Sequence, residues 1–492
     1  MSGPLTVGFS KQFPASNTSC SNNTVTINSD LENSSKQLAK FWETEDYHTN
    51  KPVPAQQDMI CESHFKAITK RDTDSRFWVS LPIKDNSMQL GSSSEMARKR
   101  FLSLEKKLNK DPNLKLKYVE FMREYEELGH MEKVPNDQLH NPNTYYIPHH
   151  SVFKGTKIRV VFDGSMKSDN GLALNQNLLA GPVIQQDIFD ITLRFRTFQY
   201  VIKADIAKMY RQIYLNTPDR DYHRIFWREN REDPMQVYRL TTVTYGTTSA
   251  PFLVIRSLQQ LAHENRESFP NASAKIIRDF YVDDLLSGAD SLPQAMELQS
   301  QIDKILRSGG FHLTKWASND INLIPEVDRT FTDNFNFDKH DTNKTLGLYW
   351  NFSQDTLGYK FNINTNTSST NITKKHILST IPKVFDPLGL ISPIVVKAKL
   401  LLQQCWSANL RWDQRVPQNI HGEWLNLIHD LTHLDKIRIS RKTIPPNVTN
   451  IELHGFSDAS EKAYGAAIYF RTVDIDGNVQ IQLLTSKFQD WS

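Results

Sequence analysis

Two adjacent carboxylates, Asp283 and Asp284, sit inside the run Phe280-Tyr281-Val282-Asp283-Asp284-Leu285-Leu286. Apolar residues flank them, Ile276 and Ile277 before, Leu285 and Leu286 after. Such flanks predict two short buried strands joined by a tight acidic turn. Neighbouring like charges repel, and burial raises the cost. A divalent cation relieves both, and hard ions such as Mg²⁺ take carboxylate oxygens. By itself the tetrapeptide Tyr281-Val282-Asp283-Asp284 also fits a solvated turn, so the chemistry depends on residues placed at a distance.

Four other stretches supply them. Residues 200–210 (YVIKADIAKMY) predict an apolar strand that delivers Asp205 at its end, where a short helical turn begins. A lone Asp there is more often a helix N-cap than a metal ligand. Residues 157–164 (KIRVVFDG) predict a strand into a turn, and Lys157 and Arg159, two apart, share one of its faces. Two cations projecting together could hold a triphosphate, with an exposed strand face as the alternative. Residues 245–252 (YGTTSAPF) read as a small-residue turn into a long helix, where backbone can approach a base or sugar closely. Residues 311–316 (FHLTKW) predict a strand carrying one lysine, Lys315.

The elements that must position these groups follow the chain. Residues 1–35, rich in Ser, Asn and Thr, form an expected disordered lead, and a helix is expected from Leu38 with Phe41 and Trp42 on its apolar face. Residues 76–82 alternate like a strand and stop at Pro82. Ser92 to Ser94 can cap a helix carrying Met96, Phe101, Leu104 and Leu108. Asp111-Pro112 breaks it. A second helix carries Leu114, Tyr118, Phe121, Met122, Tyr125 and Leu128 and ends at Gly129. Thr-rich residues 240–244 and residues 345–350 read as strands, and 295–306 as a helix. The segment 384–394 is a turn into a helix around 397–406. Trp406, Trp412 and Trp424 read as core residues. Residues 451–470 read as two apolar strands flanking Asp458.

A chain of 492 residues can bury a sizeable core in two to four domains. Its 39% hydrophobic and 23% charged content is ordinary for a water-exposed protein, and a net charge of +3 neither demands nor excludes nucleic acid. Three scattered cysteines, Cys20, Cys61 and Cys405, make a disulfide framework or zinc finger a poor fit and point to a reducing compartment. No signal peptide or membrane span is expected.

Taken in order, Asp205, the glycine turn, Asp283-Asp284 and Lys315 match the polymerase motifs of reverse transcriptases. At finer grain the chain resembles the reverse transcriptase region of BEL/Pao-type LTR retrotransposon polyproteins. The stretches that carry this are 145–150 (YYIPHH), 159–164 (RVVFDG), 175–182 (NQNLLAGP), 205–213 (DIAKMYRQI), 242–251 (TVTYGTTSAP), 281–288 (YVDDLLSG), 309–319 (GGFHLTKWASN) and 385–393 (FDPLGLISP). The resemblance runs over about residues 38 to 485.

It implies an α+β right-hand polymerase of fingers, palm and thumb, with an N-terminal helical extension over 36–140. Fingers and palm would occupy 141–320. Thumb or connection, similar to the Pao peptidase region, would occupy 321–448, and a truncated ribonuclease H-like piece 449–492. The implied function is RNA-directed DNA synthesis by two-metal phosphoryl transfer to a primer 3′-hydroxyl. Two Mg²⁺ ions are implied, with Mn²⁺ as the alternative, and so are an RNA or DNA template with primer and deoxynucleoside triphosphates. A cytoplasmic location follows, with virus-like particles or the nucleus as alternatives.

By the same resemblance Asp205, Asp283 and Asp284 are the catalytic and metal-binding carboxylates. Lys157 and Arg159 grip the triphosphate. Tyr210, five residues after Asp205, closes the floor under the sugar against a 2′-hydroxyl. Gly246 lies beside the nascent base pair, Lys315 near the phosphates, and 346–349 at the primer end. Asp386 precedes Pro387 rather than Thr-Gly, which goes against a retroviral-type protease. Asp458 resembles a first ribonuclease H carboxylate whose later partners do not follow, so no ribonuclease H activity is expected. A rival reading is a catalytically silent, transposon-derived protein that binds nucleic acid or assembles.

Overall fold

The computed structural model describes residues 55–84, 89–154, 157–326, 328–329, 344–345, 348–359, 372–381 and 384–490, all in the compact unit that begins at Tyr47. The expected lead and the helix expected from Leu38 lie outside these residues.

A four-stranded antiparallel sheet carries the acidic residues. Its order is Phe280–Tyr281, Asp284–Ala289, Tyr200–Ile206, Leu313–Ser318. Tyr200–Ile206 is paired on both sides. Its residues are buried on both faces, Val201 on one and Ile202, Ala204 and Ile206 on the other, as suits a central strand. Helices Leu292–Arg307 and Ile188–Phe195 pack against these strands, and Ala250–Glu264 and Pro270–Arg278 pack against Leu292–Arg307.

One arm of the acidic hairpin differs from expectation. Ile276 and Ile277 belong to the helix Pro270–Arg278, and only Phe280–Tyr281 forms the strand. Pro270 sets the first turn of that helix, and Asp279 ends it. The Asp279 carboxylate is buried and accepts from Ser287 Oγ at 2.7 Å and Arg194 Nε at 3.2 Å, while its carbonyl accepts Leu286 N–H at 2.9 Å.

The helices Ser94–Lys110 and Pro112–Glu127 bury Phe101, Leu104 and Leu108, and Leu114, Tyr118, Met122 and Tyr125, as their spacing predicts; Met96 and Leu128 stay exposed. Asp111 caps the second helix by accepting Leu114 N–H. Ser93 does not cap the first with its side chain; its Oγ accepts Tyr146 N–H at 2.6 Å and ties the helix start to the 145–150 segment. The hairpin of His149–Lys154 and Lys157–Phe162 packs on both helices.

Three further readings change. The 240–244 run is not a strand: the strand is Gln236–Leu240, and Thr242 makes one isolated bridge to Tyr214. Residues 345–350 are not one strand, because Lys344–Thr345 and Leu348–Asn351 pair antiparallel with each other; Leu346 and Gly347 lie outside the described residues. Trp424 is core, but Trp412 is 37% exposed.

At the C-terminal end, Val448–Ala459, Ala463–Asp474 and Val479–Asp490 form one antiparallel sheet, with Asp458 inside its first strand rather than between strands. Two buried arginines join this region to the central sheet. Arg196 donates to the carbonyls of Arg441, Leu484 and Ser440, and Arg441 pairs with both oxygens of Asp355 at 2.6 Å while donating to Phe195 and Phe198 carbonyls.

The N-terminal helices create a pH dependence. His149 is buried among Phe101, Tyr118, Phe162 and Trp227. Its Nε2–H donates to Phe226 O at 2.9 Å, so Nδ1 accepts from the Tyr118 hydroxyl at 2.5 Å. Burial lowers its pKa to about 4. A histidine depressed in the fold binds its proton first in the unfolded chain, so stability is complete above pH ~6.5 and falls as pH drops toward 4. We expect replacement by the non-titrating His149→Gln to flatten that slope. The stability difference between wild type and variant in urea titrations should shift by about 3 kcal/mol in the variant's favour between pH 7 and 4. A difference independent of pH would contradict the burial assigned to His149.

Candidate active site

Pairing register brings the acidic residues together. Asp284 opens the strand Asp284–Ala289 directly opposite Asp205 on Tyr200–Ile206, and residues opposed in an antiparallel ladder project to the same face. Asp283 occupies the preceding two-residue turn, and its carbonyl accepts Ile206 N–H at 2.8 Å. The three carboxylates thus stand at one end of a single strand pair.

Their electrostatics record the cost. Burial, and then the charge of Asp205, holds the Asp283 carboxyl above the usual range, while Lys315 and Arg159 pull it down. Asp284 is pushed up to about 6, again by burial first, with Lys203 opposing and Asp283 and Asp205 adding to the rise.

Lys203 was not singled out from the sequence. It lies two residues before Asp205, hence on the same face, and is 9% exposed. Burial lowers its pKa, against the attraction of Asp284 and Asp205. The signal that could have found it is a lysine inside an otherwise apolar strand, in phase with the carboxylate.

Lys315 reaches the same place from the other side. The ladder from Leu313–Ser318 to the central strand shifts register between Thr314 and Ala317, and Lys315 takes a left-handed φ of 55°. A bulge of this kind re-aims one side chain. Here it brings Nζ to 3.0 Å from Asp205 Oδ2.

Arg159 is exposed on its strand, and its charge acts on Asp283 and Tyr245. The Lys157 side chain lies outside the described residues. Tyr210 sits in the 3₁₀ turn Met209–Gln212, its ring edge-on to Tyr245 at 6.3 Å. Burial, and then the Asp283 charge, raises its pKa. Tyr245 is fixed in turn by its hydroxyl, which donates to Val160 O at 2.8 Å. Arg211 anchors the Tyr210 turn to the N-terminal helices, donating to His130 Nδ1 and Glu124 Oε1, each at 2.8 Å.

Gly246 has φ of 103°, and a Cβ there would lie 2.0 Å from the Phe162 carbonyl oxygen, so any side chain meets backbone. Asn175 holds this turn, donating from Nδ2 to Gly246 O at 3.0 Å and accepting Thr248 N–H at 2.9 Å. Of the stretch expected at the primer end, Tyr349 is buried in Leu348–Asn351, and Leu346 lies outside the described residues.

The donor set suits a hard divalent ion, being carboxylate oxygens whose mutual repulsion a cation relieves. Among the described residues no three His, Cys, Asp or Glu side chains converge into a ready-made cage. Mg²⁺ does not require one, since it commonly takes one or two carboxylates and completes its shell with water and substrate phosphates.

Two other acidic residues stand apart. Asp386 is engaged in structure, accepting from the Tyr359 hydroxyl at 2.6 Å and from the N–H groups of Leu390 and Ile391. Asp458 is exposed, and its Oδ1 accepts Ala459 N–H at 2.9 Å. No helix among the described residues is long and apolar enough to cross a membrane.

Residues 156–316 match the reverse transcriptase (RNA-dependent DNA polymerase) family, and residues 373–489 match the Pao retrotransposon-like RNaseH-like domain. The first stretch contains Asp205, Tyr210, Gly246, Asp283, Asp284 and Lys315; the second runs from the helix Lys374–Thr380 into the C-terminal sheet. No curated protein matches the chain. Reverse transcriptases generally use divalent metals.

Relief of the carboxylate repulsion should be measurable without any substrate. Mg²⁺ at millimolar concentration is expected to raise the melting temperature of the wild type at pH 7.5 by a few degrees, through preferential binding to the folded state. The rise should shrink at pH 5.5, where Asp284 takes up its proton, and vanish in Asp283→Asn. An equal rise in wild type and variant would place the ion elsewhere.

Proposed function

We propose that this chain, which carries the reverse transcriptase region of a BEL/Pao-type retrotransposon, is an active RNA-directed DNA polymerase whose reaction centre is Asp205, Asp283 and Asp284. The observation that carries this reading is the cross-strand pairing of Asp284 with Asp205, with Asp283 in the turn and Lys315 Nζ 3.0 Å from Asp205. A sheet end that gathers this much like charge while keeping it accessible is costly for stability and suited to divalent cations. On this reading the four-stranded sheet and its helices are the palm. The hairpin of His149–Lys154 and Lys157–Phe162 belongs to the fingers, and the elements beyond Lys344 form the thumb, connection and a ribonuclease H-like part.

Asp205 and Asp283 would hold the ions jointly, with Asp284 completing the negative charge. Bound divalent ions supply activation of a primer 3′-oxygen and neutralisation of a leaving pyrophosphate. Arg159, with Lys157 from the same strand, meets the triphosphate of the incoming nucleotide and orients it. Lys315, an ammonium with three donors, exchanges its Asp205 contact for phosphate oxygens as the substrate arrives. Tyr210, backed by Tyr245, presents an aromatic floor that leaves no room for a 2′-hydroxyl. Gly246 lets the backbone lie flat beside the nascent pair.

A primer-extension assay with purified protein on an RNA template tests the reading. Asp283→Asn should lower the extension rate by about a hundredfold or more while template–primer affinity stays within about threefold, because the loss falls on preorganised charge rather than on binding. Extension by that variant at the wild-type rate would remove Asp283 from the centre.

Tyr210→Val tests the sugar floor separately. The ratio of dGTP to rGTP incorporation should fall by at least about tenfold, the scale of discrimination one packed contact provides. An active variant with an unchanged ratio would show that selectivity lies elsewhere.

A further inference from the structure

The turn that carries Asp283 is in an unfavourable conformation. Phe280 pairs with Leu285 and Tyr281 with Asp284, which leaves Val282-Asp283 as a two-residue loop. Val282 has φ of 56°. Two-residue hairpins place such angles on Asn, Asp or Gly, and a β-branched residue there is a genuine outlier. Strain of this sort persists only where surrounding structure over-determines it.

The holding group is Gln185. Its Nε2 donates to Phe280 O at 2.7 Å, and its Oε1 accepts Val282 N–H at 2.9 Å. One carboxamide therefore spans the strained residue, engaging backbone on its near side and at the residue itself. Gln185 is itself anchored: the neighbouring Ile184 carbonyl accepts from Gln259 Nε2 at 3.1 Å, and Asp187 caps the helix Ile188–Phe195. Ten residues upstream, Asn175 treats the Gly246 turn in the same way, one donor and one acceptor to backbone. A single segment, 175–185, thus fixes two left-handed positions of the site, Val282 and Gly246, by side-chain amides.

We propose that Gln185 is a positioning residue for the reaction centre: its carboxamide holds Val282 left-handed, and that conformation aims Asp283 and Asp284 at Asp205. The proposal rests on the polymerase reading for its kinetic consequence, but the clamp is a property of the fold. Because Gln185 lies in the segment that also fixes the Gly246 turn, the metal side and the nucleotide side of the site share one support.

The test is a double-mutant cycle on the full chain. Gln185→Leu keeps the volume and removes both hydrogen bonds. Val282→Gly makes the left-handed turn free of strain, so it no longer needs a clamp. Gln185→Leu should lower kcat by about tenfold in the wild-type background, with the KM for deoxynucleotide within about twofold, and should cost less than about twofold in the Val282→Gly background. A loss that is equal in both backgrounds, or no loss in the first, overturns the proposal.

Amide hydrogen exchange at Val282 gives a readout independent of activity. It should quicken by at least about tenfold in Gln185→Leu while the strand Tyr200–Ile206 keeps its protection. Unchanged exchange at Val282 also overturns the clamp. If wild type extends no primer but Val282 exchange quickens as expected, the polymerase reading fails and the clamp stands.

Discussion

Everything around the site answers one constraint: two carboxylates face each other across a single antiparallel ladder, with a third in the adjoining turn. Burial and mutual repulsion leave Asp283 and Asp284 reluctant to ionise. The fold answers with cations from three directions. Lys203 comes from the same strand, Lys315 from the next strand through a bulge, and Arg159 from a separate hairpin. These differ in kind. Lys203 is buried and permanent, whereas Lys315 has a largely exposed side chain and can exchange partners. On the proposed function, in which charged ligands come and go, the first sort makes the folded state tolerable and the second yields.

The same constraint explains the rigidity of the supports. Carboxylate oxygens coordinate hard divalent ions at about 2.0–2.6 Å, so a displacement of about an ångström breaks the contact. The central strand is paired on both sides, and the turn at Asp283 is tied twice, by Ile206 N–H to its carbonyl and by Gln185 to its neighbours. The Tyr210 turn is tied by Arg211 to Glu124 and His130, so the helix Pro112–Glu127 is part of the scaffold of the site rather than an appendage. The aromatic contacts of Tyr118 and Phe101 with His149 and Trp227 carry that support to the hairpin that bears Arg159.

Much of this was legible in the residues. The apolar run that forms the strand Tyr200–Ile206, the break between helices at Asp111-Pro112 and the glycine stop at Gly129 follow local rules, and local rules act the same way in sequence and in structure. What escaped was set at long range. Ile276 and Ile277 read as a strand arm because a short apolar run has no period of its own; the helix is decided by Pro270 before it and by Asp279, whose partners Arg194 and Ser287 are distant. The 345–350 run reads as continuous because the antiparallel pairing of Thr345 with Leu348 leaves no mark on composition. Ser93 has the composition of a cap, yet a backbone N–H fifty-three positions away claims its hydroxyl. Lys203 was readable by phase alone. Gln185 was not, since nothing about a glutamine in a loop indicates which strained turn it will meet.

The C-terminal region obeys the same logic of buried charge, solved by another route. Arg196 has no exposed surface, and its guanidinium is satisfied by three backbone carbonyls from two different elements. Carbonyl dipoles in place of a carboxylate leave the charge only partly compensated, and burial lowers its pKa to about 10. Arg441, stacked near Phe195 and paired with Asp355, completes the junction. A guanidinium presents five donors in a fixed plane, so it can join segments that arrive at set angles, where an ammonium would tolerate sliding. The two arginines therefore do for the join between central sheet and C-terminal sheet what Lys203 and Lys315 do for the carboxylates. In both places the fold accepts desolvated charge, because a satisfied charge specifies geometry more narrowly than apolar contact does.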